Sequence, residues 1–221
     1  MFILLLNIQQ NHNIFERITE MIKQLGGLLL VLILGITALN AENVWKADKV
    51  HSNVGFTVTH MLVSEVGGKF SDFDASLTAT KDDFSDMKID ATIKTASVNT
   101  DNDKRDGHLK SDDFFNTEKF PAMTFKSTKV EKTGTDTYKI TGDLTIRDIT
   151  KSVVLDTKFK GVINDPWGNT RAGFKATTTI DRFEFGTKWK APAGDGGLVV
   201  SKNVDITLSF EFVKEKPQGK K

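Results

Sequence analysis

The chain has 221 residues, 38% of them hydrophobic, a formal net charge of +1 and no cysteine. That length holds one substantial domain with its own core. Near-neutrality excludes a nucleic-acid surface, which needs concentrated positive charge, and tells against anchoring on an anionic membrane; the missing cysteines exclude disulfide scaffolds, thiol catalysis and thiolate metal sites.

Residues 1–41 carry only Glu16, Arg17, Glu20 and Lys23, which cancel, so the remainder keeps the same balance. Met21-Ile22-Lys23 makes a basic start, and Leu25–Ile36 follows as an apolar stretch interrupted only by glycines. That stretch is shorter than the roughly 20 residues a spanning helix needs. Small residues come next at Ala38 and Ala41. The pattern is that of a cleaved signal peptide, with cleavage expected after Ala41, although Leu39 at the −3 position is not ideal. A retained membrane anchor is the competing reading. Cleavage implies a periplasmic or secreted protein. Residues 1–20 lie upstream of the pattern, so Met21 competes with Met1 as the start.

From residue 42 the pattern has period two. Val54, Phe56, Val58 and His60 share a parity, and Met87, Ile89, Ala91 and Ile93 repeat it. Tyr138, Ile140, Gly142, Leu144 and Ile146 form another series. Val153, Leu155, Thr157, Phe159, Gly161 and Ile163 form the next, followed by Phe174, Ala176 and Ile180. Val204, Ile206, Leu208, Phe210 and Phe212 close the set. Alternation places these side chains on one face of each strand, with Lys, Asp and Thr on the other. Further strands are expected near Lys69–Thr80 and Met123–Lys132, about eight in all. Turn signals separate them at Thr133–Asp136, Asn164–Pro166 and Asp195–Gly197. Two stretches break the period and predict short helices, Lys81–Asp86 and Asp101–Asn116. The other connections are too short for parallel crossovers, so the sheet is antiparallel. Eight such strands bury their apolar faces most simply by closing into a barrel; a sandwich is the alternative. One domain over 42–215 and a charged tail over 216–221 complete the chain.

Specific residues then carry a resemblance. Asp48-x-x-His51-Ser52-x-Val54-x-Phe56-x-Val58-x-His60 opens the domain. Gly68-Lys69-Phe70-x-x-Phe73, Val98-x-Thr100 and Arg105-Asp106-x-His108-Leu109-x-Ser111-x-Asp113-Phe114-Phe115 follow. Then come Phe120-Pro121-x-Met123-x-Phe125, Gly142-Asp143-Leu144-Thr145-Ile146-Arg147 and Arg182-Phe183-x-Phe185-Gly186-x-x-Trp189. In this order and spacing they resemble the YceI-like family of lipid-binding periplasmic proteins, over about residues 44–213. The resemblance implies an all-β, extended, antiparallel, lipocalin-like eight-stranded barrel with one or two short helices. It implies a polyisoprenoid or similar long-chain lipid in the lumen and a possible homodimer; no cofactor is expected. The chain departs from the family in its long N-terminal extension.

The residues themselves leave choices open. Arg105, His108 and Leu109 share one helix face. The basic pair could meet a polar or phosphorylated lipid head. Alternatively Leu109, Phe114 and Phe115 plug the barrel while Arg105 pairs with a nearby aspartate. Asp101, Asp103 and Asp112 fall at positions one, three and twelve of a calcium loop. Arg105 at position five and Asp106 at position six defeat that reading. His51, His60 and His108 could in number hold zinc, but His51 and His60 have opposite parity, so no metal is expected. Ser52 and Ser111 lack a nucleophile-elbow context, so no catalytic residue is expected. An enzyme using His108 and neighbouring aspartates, or an envelope stress or adhesion protein, are the competing functions.

The chain has 16 Phe and one Tyr. They could fill an ordinary core, but Ala91, Gly142, Gly161 and Ala176 at inward parity predict unfilled lumen. The expected ligand-lining strand residues are Phe56, Val58, His60, Phe70, Phe125, Ile146 and Phe174. Arg105, His108, Leu109, Phe114, Phe115, Phe120 and Trp189 join them from the connecting segments. The expected partner is a long-chain isoprenoid, such as a polyisoprenoid or isoprenoid quinone, or a fatty lipid.

Overall fold

A computed structural model describes residues 16–17, 19–23, 42–194 and 196–216. The chain divides into two units, Met1–Ala41 and Glu42–Lys221. The described residues of the first unit are helical. The apolar leader, Ala41, Asp195 and residues 217–221 of the tail lie outside the described residues. Among the described residues no helix is long and apolar enough to cross a membrane.

Among the described residues eleven strands build the second unit. They are β1 (Asn43–Ala47), β2 (Asn53–His60), β3 (Ser64–Phe70), β4 (Phe73–Ala79), β5 (Lys88–Lys94) and β6 (Val98–Asn99). After helix α1 (Asp103–Lys110) come β7 (Ala122–Lys132), β8 (Thr137–Ile146), β9 (Ile149–Asn164), β10 (Thr170–Asp181) and β11 (Asn203–Lys214). Three pairs of strands are halves of bent strands. β1 and β2 run on through residues 48–52, β3 and β4 through Ser71-Asp72, and β5 and β6 through a 3-10 turn at Thr95–Ser97. Accordingly β1 pairs with β4 and β2 with β3, while β4 pairs with β5 and β3 with β6. β5, β7, β8, β9, β10 and β11 then follow as neighbours. The free edge of β11 takes β2 along Asp205–Ser209 and β1 along Phe212–Lys214, which closes the ring. Every pairing is antiparallel, so the fold is an eight-stranded closed barrel and not a sandwich.

Local chemistry explains the connections. Arg147 and Asp148 alone link β8 to β9, and Arg147 takes the positive φ (58°) that tight hairpins require. Between β9 and β10 the Asp165 carboxylate accepts from the backbone N–H of Trp167 (3.0 Å) and Asn169 (2.8 Å), an Asx turn. β9 has 16 residues and therefore runs about 50 Å at ~3.3 Å per residue, which makes the barrel long.

Two local expectations are corrected. Residues 81–86 form consecutive turns, not a helix: Phe84 N–H bonds to Lys81 O and Met87 N–H to Phe84 O, with Phe84 at φ 56°. That left-handed residue breaks any helical run and drives its ring inward, where it is 2% exposed. It meets Trp45 (5.4 Å), Phe159 (5.2 Å) and Phe174 (5.3 Å) between ring centroids and stops one end of the barrel. In β9 the register slips between Phe159 and Gly161, and Gly161 has φ 115°. This bulge inverts the parity beyond it, so Ile163 faces outward and is 66% exposed.

Candidate functional site

Between the aromatic stopper and α1 the barrel encloses a cavity of about 730 Å³. Its wall runs from Phe212 and Phe174, which abut the stopper, to Arg182 and Trp189 beside α1. The cavity exists because alternation aims apolar side chains at the axis from all sides. Carbon lines almost all of it. A barrel that crosses a bilayer shows the inverse pattern, apolar outside and polar within.

Phe56, Val58, His60, Phe70, Arg105, His108, Leu109, Phe114, Phe115, Phe125, Ile146, Phe174 and Trp189 all line this cavity. Phe120 does not. Its carbonyl accepts from Thr95 Oγ1 (2.7 Å), and its ring turns away beneath Lys119 and Arg147, at 5.0 and 5.2 Å. The small residues divide as well. Ala91 and Ala176 face the void. Gly142 does not, because the Phe125 ring already fills the space in front of it. Gly161 belongs to the bulge.

α1 lids the end opposite the stopper. Asn102 caps it by accepting from Arg105 N–H (3.0 Å). Arg105, His108 and Leu109 do share the face turned to the cavity. The guanidinium of Arg105 finds no aspartate; Nε donates to Thr100 Oγ1 (2.8 Å) and Nη2 to Thr100 O (2.6 Å). Asp106 accepts instead from the Thr100 backbone N–H (2.9 Å). No residue of α1 is fully buried, so the lid is thin. His108 stands edge-on to Phe114 and Trp189, with Nε2 2.8 Å from Asp113 Oδ2 and its side chain 42% exposed.

The loop after α1 is latched to the barrel wall. Arg147 Nη1 donates to the carbonyls of Asp112 and Phe114, both at 2.8 Å, and Nη2 to Asp112 Oδ1 at 2.8 Å. Lys188 grips the same carboxylate. Lys188, Arg147 and Asn116 together hold the Asp112 carboxyl down to about 2.

Sequence reasoning missed Arg182 as a cavity residue. It follows β10 at the start of a 3-10 turn, Arg182–Phe185, and is only 5% exposed. Nε donates to Ser201 O (2.9 Å), Nη1 to Trp189 O (2.9 Å) and Thr187 Oγ1 (3.3 Å), and Nη2 to Val200 O (3.1 Å). Phe183 covers one face of the guanidinium at 4.1 Å. Burial works against its charge, with Asp181 opposing. The Arg182-Phe183-x-Phe185-Gly186 run was the available signal, but side-chain direction in a 3-10 turn cannot be read from a period.

Away from the lumen, Asp48, His51 and Glu211 lie close enough to suggest a metal site. Arg171 already occupies that position. It donates to Asp48 (2.8 Å), Asp165 (2.6 Å) and Glu211, and holds the Asp165 carboxyl well below the usual range; His51 and Arg171 do the same for Asp48. Ser111 Oγ donates to the His108 carbonyl (2.8 Å) and not to an imidazole nitrogen. Ser52 Oγ donates to Glu211 O. Neither serine is therefore paired with a base.

A family model for the YceI-like domain matches residues 45–212. A UPF0312 protein of Photorhabdus laumondii is 40% identical over 194 residues, spanning 85% of this chain and 97% of its own. One of Staphylococcus aureus is 39% identical over 166 residues, spanning 75% and 94%. The solved structure of a Campylobacter jejuni YceI protein is 38% identical, with a TM-score of 0.60 over 76% of this chain and 96% of its own. A polyisoprenoid binding domain from Saccharophagus degradans, 13% identical, shares the fold with a TM-score of 0.60 over 77% and 98%.

Proposed function

The chain belongs to the YceI-like family, and from that premise we propose that it holds a long-chain apolar lipid in the barrel lumen, to sequester or carry it, and catalyses no reaction. One observation carries the reading: a void of about 730 Å³, walled by carbon, between an aromatic stopper and a thin helical lid. A buried methylene contributes about 0.8 kcal/mol. A tail of about 20 carbons therefore gains well over 10 kcal/mol, against association costs of about 4–15 kcal/mol. Binding then draws mainly on the tail. Chain-length selection is weak, since one methylene discriminates by only about 1–3 kcal/mol. The ligand class is an isoprenoid, a polyisoprenoid or isoprenoid quinone, in keeping with the Saccharophagus domain that shares the fold. The leader further supports export and release after Ala41 into the periplasm or beyond.

Native mass spectrometry of protein purified without added lipid tests this, followed by organic extraction. One dominant long-chain species should leave with the protein, whose intact mass should begin at Glu42. An empty extract from protein that also fails to take up added lipid defeats the binding reading.

A further inference from the structure

We propose that the lumen selects lipids ending in an acid, a carboxylate or a phosphate monoester, and that Arg182 is the residue that reads the acidic head. The inference rests on the lipid-binding reading above. It starts from an asymmetry of charge. The chain as a whole is nearly neutral, with 30 basic and 29 acidic residues. The cavity wall carries Lys104, Arg105 and Arg182 and no aspartate or glutamate. All three cations sit at the α1 end, so the charge is polarised along the axis: carbon toward the stopper, positive at the lid.

Of the three, only Arg182 is buried. Its nearest acidic neighbour in sequence, Asp181, pairs with Lys202 (3.3 Å) and accepts from Phe183 N–H (3.0 Å). Among the described residues no carboxylate lies within ion-pair distance of the Arg182 guanidinium. Four of its five N–H groups go to neutral oxygens, those of Ser201, Trp189, Thr187 and Val200. The fifth, on Nη2, has no acceptor among the described residues. A buried cation with no carboxylate at ion-pair distance is left short of charge, which favours an anion beside it. The guanidinium carbon lies over the Phe183 and Phe114 rings at 4.1 and 5.7 Å, so aromatic carbon adjoins it there and the spare Nη2 N–H is the polar group left for a ligand. An anionic oxygen there would supply both the missing charge and the missing acceptor, as a short charge-assisted bond. An alcohol or a hydrocarbon end would supply neither charge nor, for the hydrocarbon, an acceptor. The head then lies under the lid and the tail points toward Phe174 and Phe212.

The test uses delipidated full-length protein and four probes with one common long alkyl chain: the alkane, the primary alcohol, the carboxylate and the phosphate monoester. Competition against a fluorescent fatty probe at neutral pH reads each affinity. At least one acid should bind about 10- to 100-fold more tightly than the alcohol, the range of one hydrogen bond to a charged group. The tighter acid identifies the head. The advantage should vanish in Arg182→Gln and survive in part in Arg182→Lys, with melting curves showing that each variant is folded. Acid and alcohol binding equally to the unaltered protein would overturn the inference and leave the lipid-binding reading standing, even if neither variant folds. An advantage kept in a folded Arg182→Gln protein would overturn the assignment to Arg182. Failure of all four probes to bind would bring down the lipid-binding reading itself.

Discussion

Ala176 and Gly142 are both small and both point inward, yet enlarging them should have opposite effects. Ala176 faces open lumen. In Ala176→Phe the new ring enters space that no side chain fills, so unfolding of the lipid-free protein should stay within about 1 kcal/mol of the parent or above it. A filled core would instead lose about 1–3 kcal/mol by overpacking. The ring displaces roughly four methylenes of tail, which at ~0.8 kcal/mol each is about 3 kcal/mol, or on the order of 100-fold in affinity. In Gly142→Ala the added carbon would lie 2.5 Å from Phe125 Cε2 and 2.7 Å from the Lys126 carbonyl oxygen. The ring can yield, but the backbone oxygen cannot, so this variant should lose about 1–3 kcal/mol. Urea unfolding followed by tryptophan fluorescence gives the stabilities, and displacement of a fluorescent fatty probe gives the affinities. Unchanged affinity in an Ala176→Phe protein that has lost 2 kcal/mol or more would show, at about the cost of overpacking, that the lumen is core and the ligand sits elsewhere.

Arg105→Ala removes two bonds to Thr100 and should lower stability by about 1–2 kcal/mol while leaving the affinity for a plain hydrocarbon probe intact; a loss confined to acid-headed probes would return Arg105 to the head-group role. Phe84→Ala removes the stopper and should cost about 3–5 kcal/mol, while the cavity gains length and accepts longer tails; an unchanged unfolding midpoint would contradict the packing described. Asp112 has its folded-state pKa lowered to about 2 from an ordinary 3.8, so its latch is complete above the ordinary value and is lost as pH falls through about 2. The near-ultraviolet signal of Trp189 should therefore change in a step centred at about pH 2, and Asp112→Asn should abolish that step; the same step in the variant would assign it to other groups. Chelator should leave the melting temperature unchanged, because Arg171 fills the place a cation would take between Asp48 and Glu211; a rise with added zinc or calcium would refute that.

The strands were legible because each is buried on one side only, and a period of two is then written directly into residue type. The bends were not. Nothing in composition says that residues 43–47 and 53–60 occupy one position in the ring, since that depends on which neighbours each half pairs with. The bulge at Lys160–Gly161 reverses parity after Phe159 with a single glycine as its mark, so an unbroken period puts Ile163 on the wrong face. Phe84 hides in a stretch where turns and helix have equally little period. Gly142 read as empty space because its occupant, Phe125, comes from the neighbouring strand two register steps away. The site showed the same division. Phe56, Val58, Phe125, Ile146 and Phe174 on strands and Arg105, His108 and Leu109 on α1 line the lumen, while Phe120 and Arg182, both in irregular segments, go opposite ways.

The seam of the ring sets a condition on how the chain is made. β11 follows the other described strands in the chain, and it is the neighbour of β10 on one side and of β1 and β2 on the other. Until residues 203–214 emerge, β10 and the β1–β2 strand each present an unpaired edge, and the whole apolar wall is open to water. Closure then joins residues at opposite ends of the domain, the kind of distant pairing that folds slowly. A chain cut short of β11 keeps both open edges, and only the twelve residues of that strand turn the sheet into a vessel.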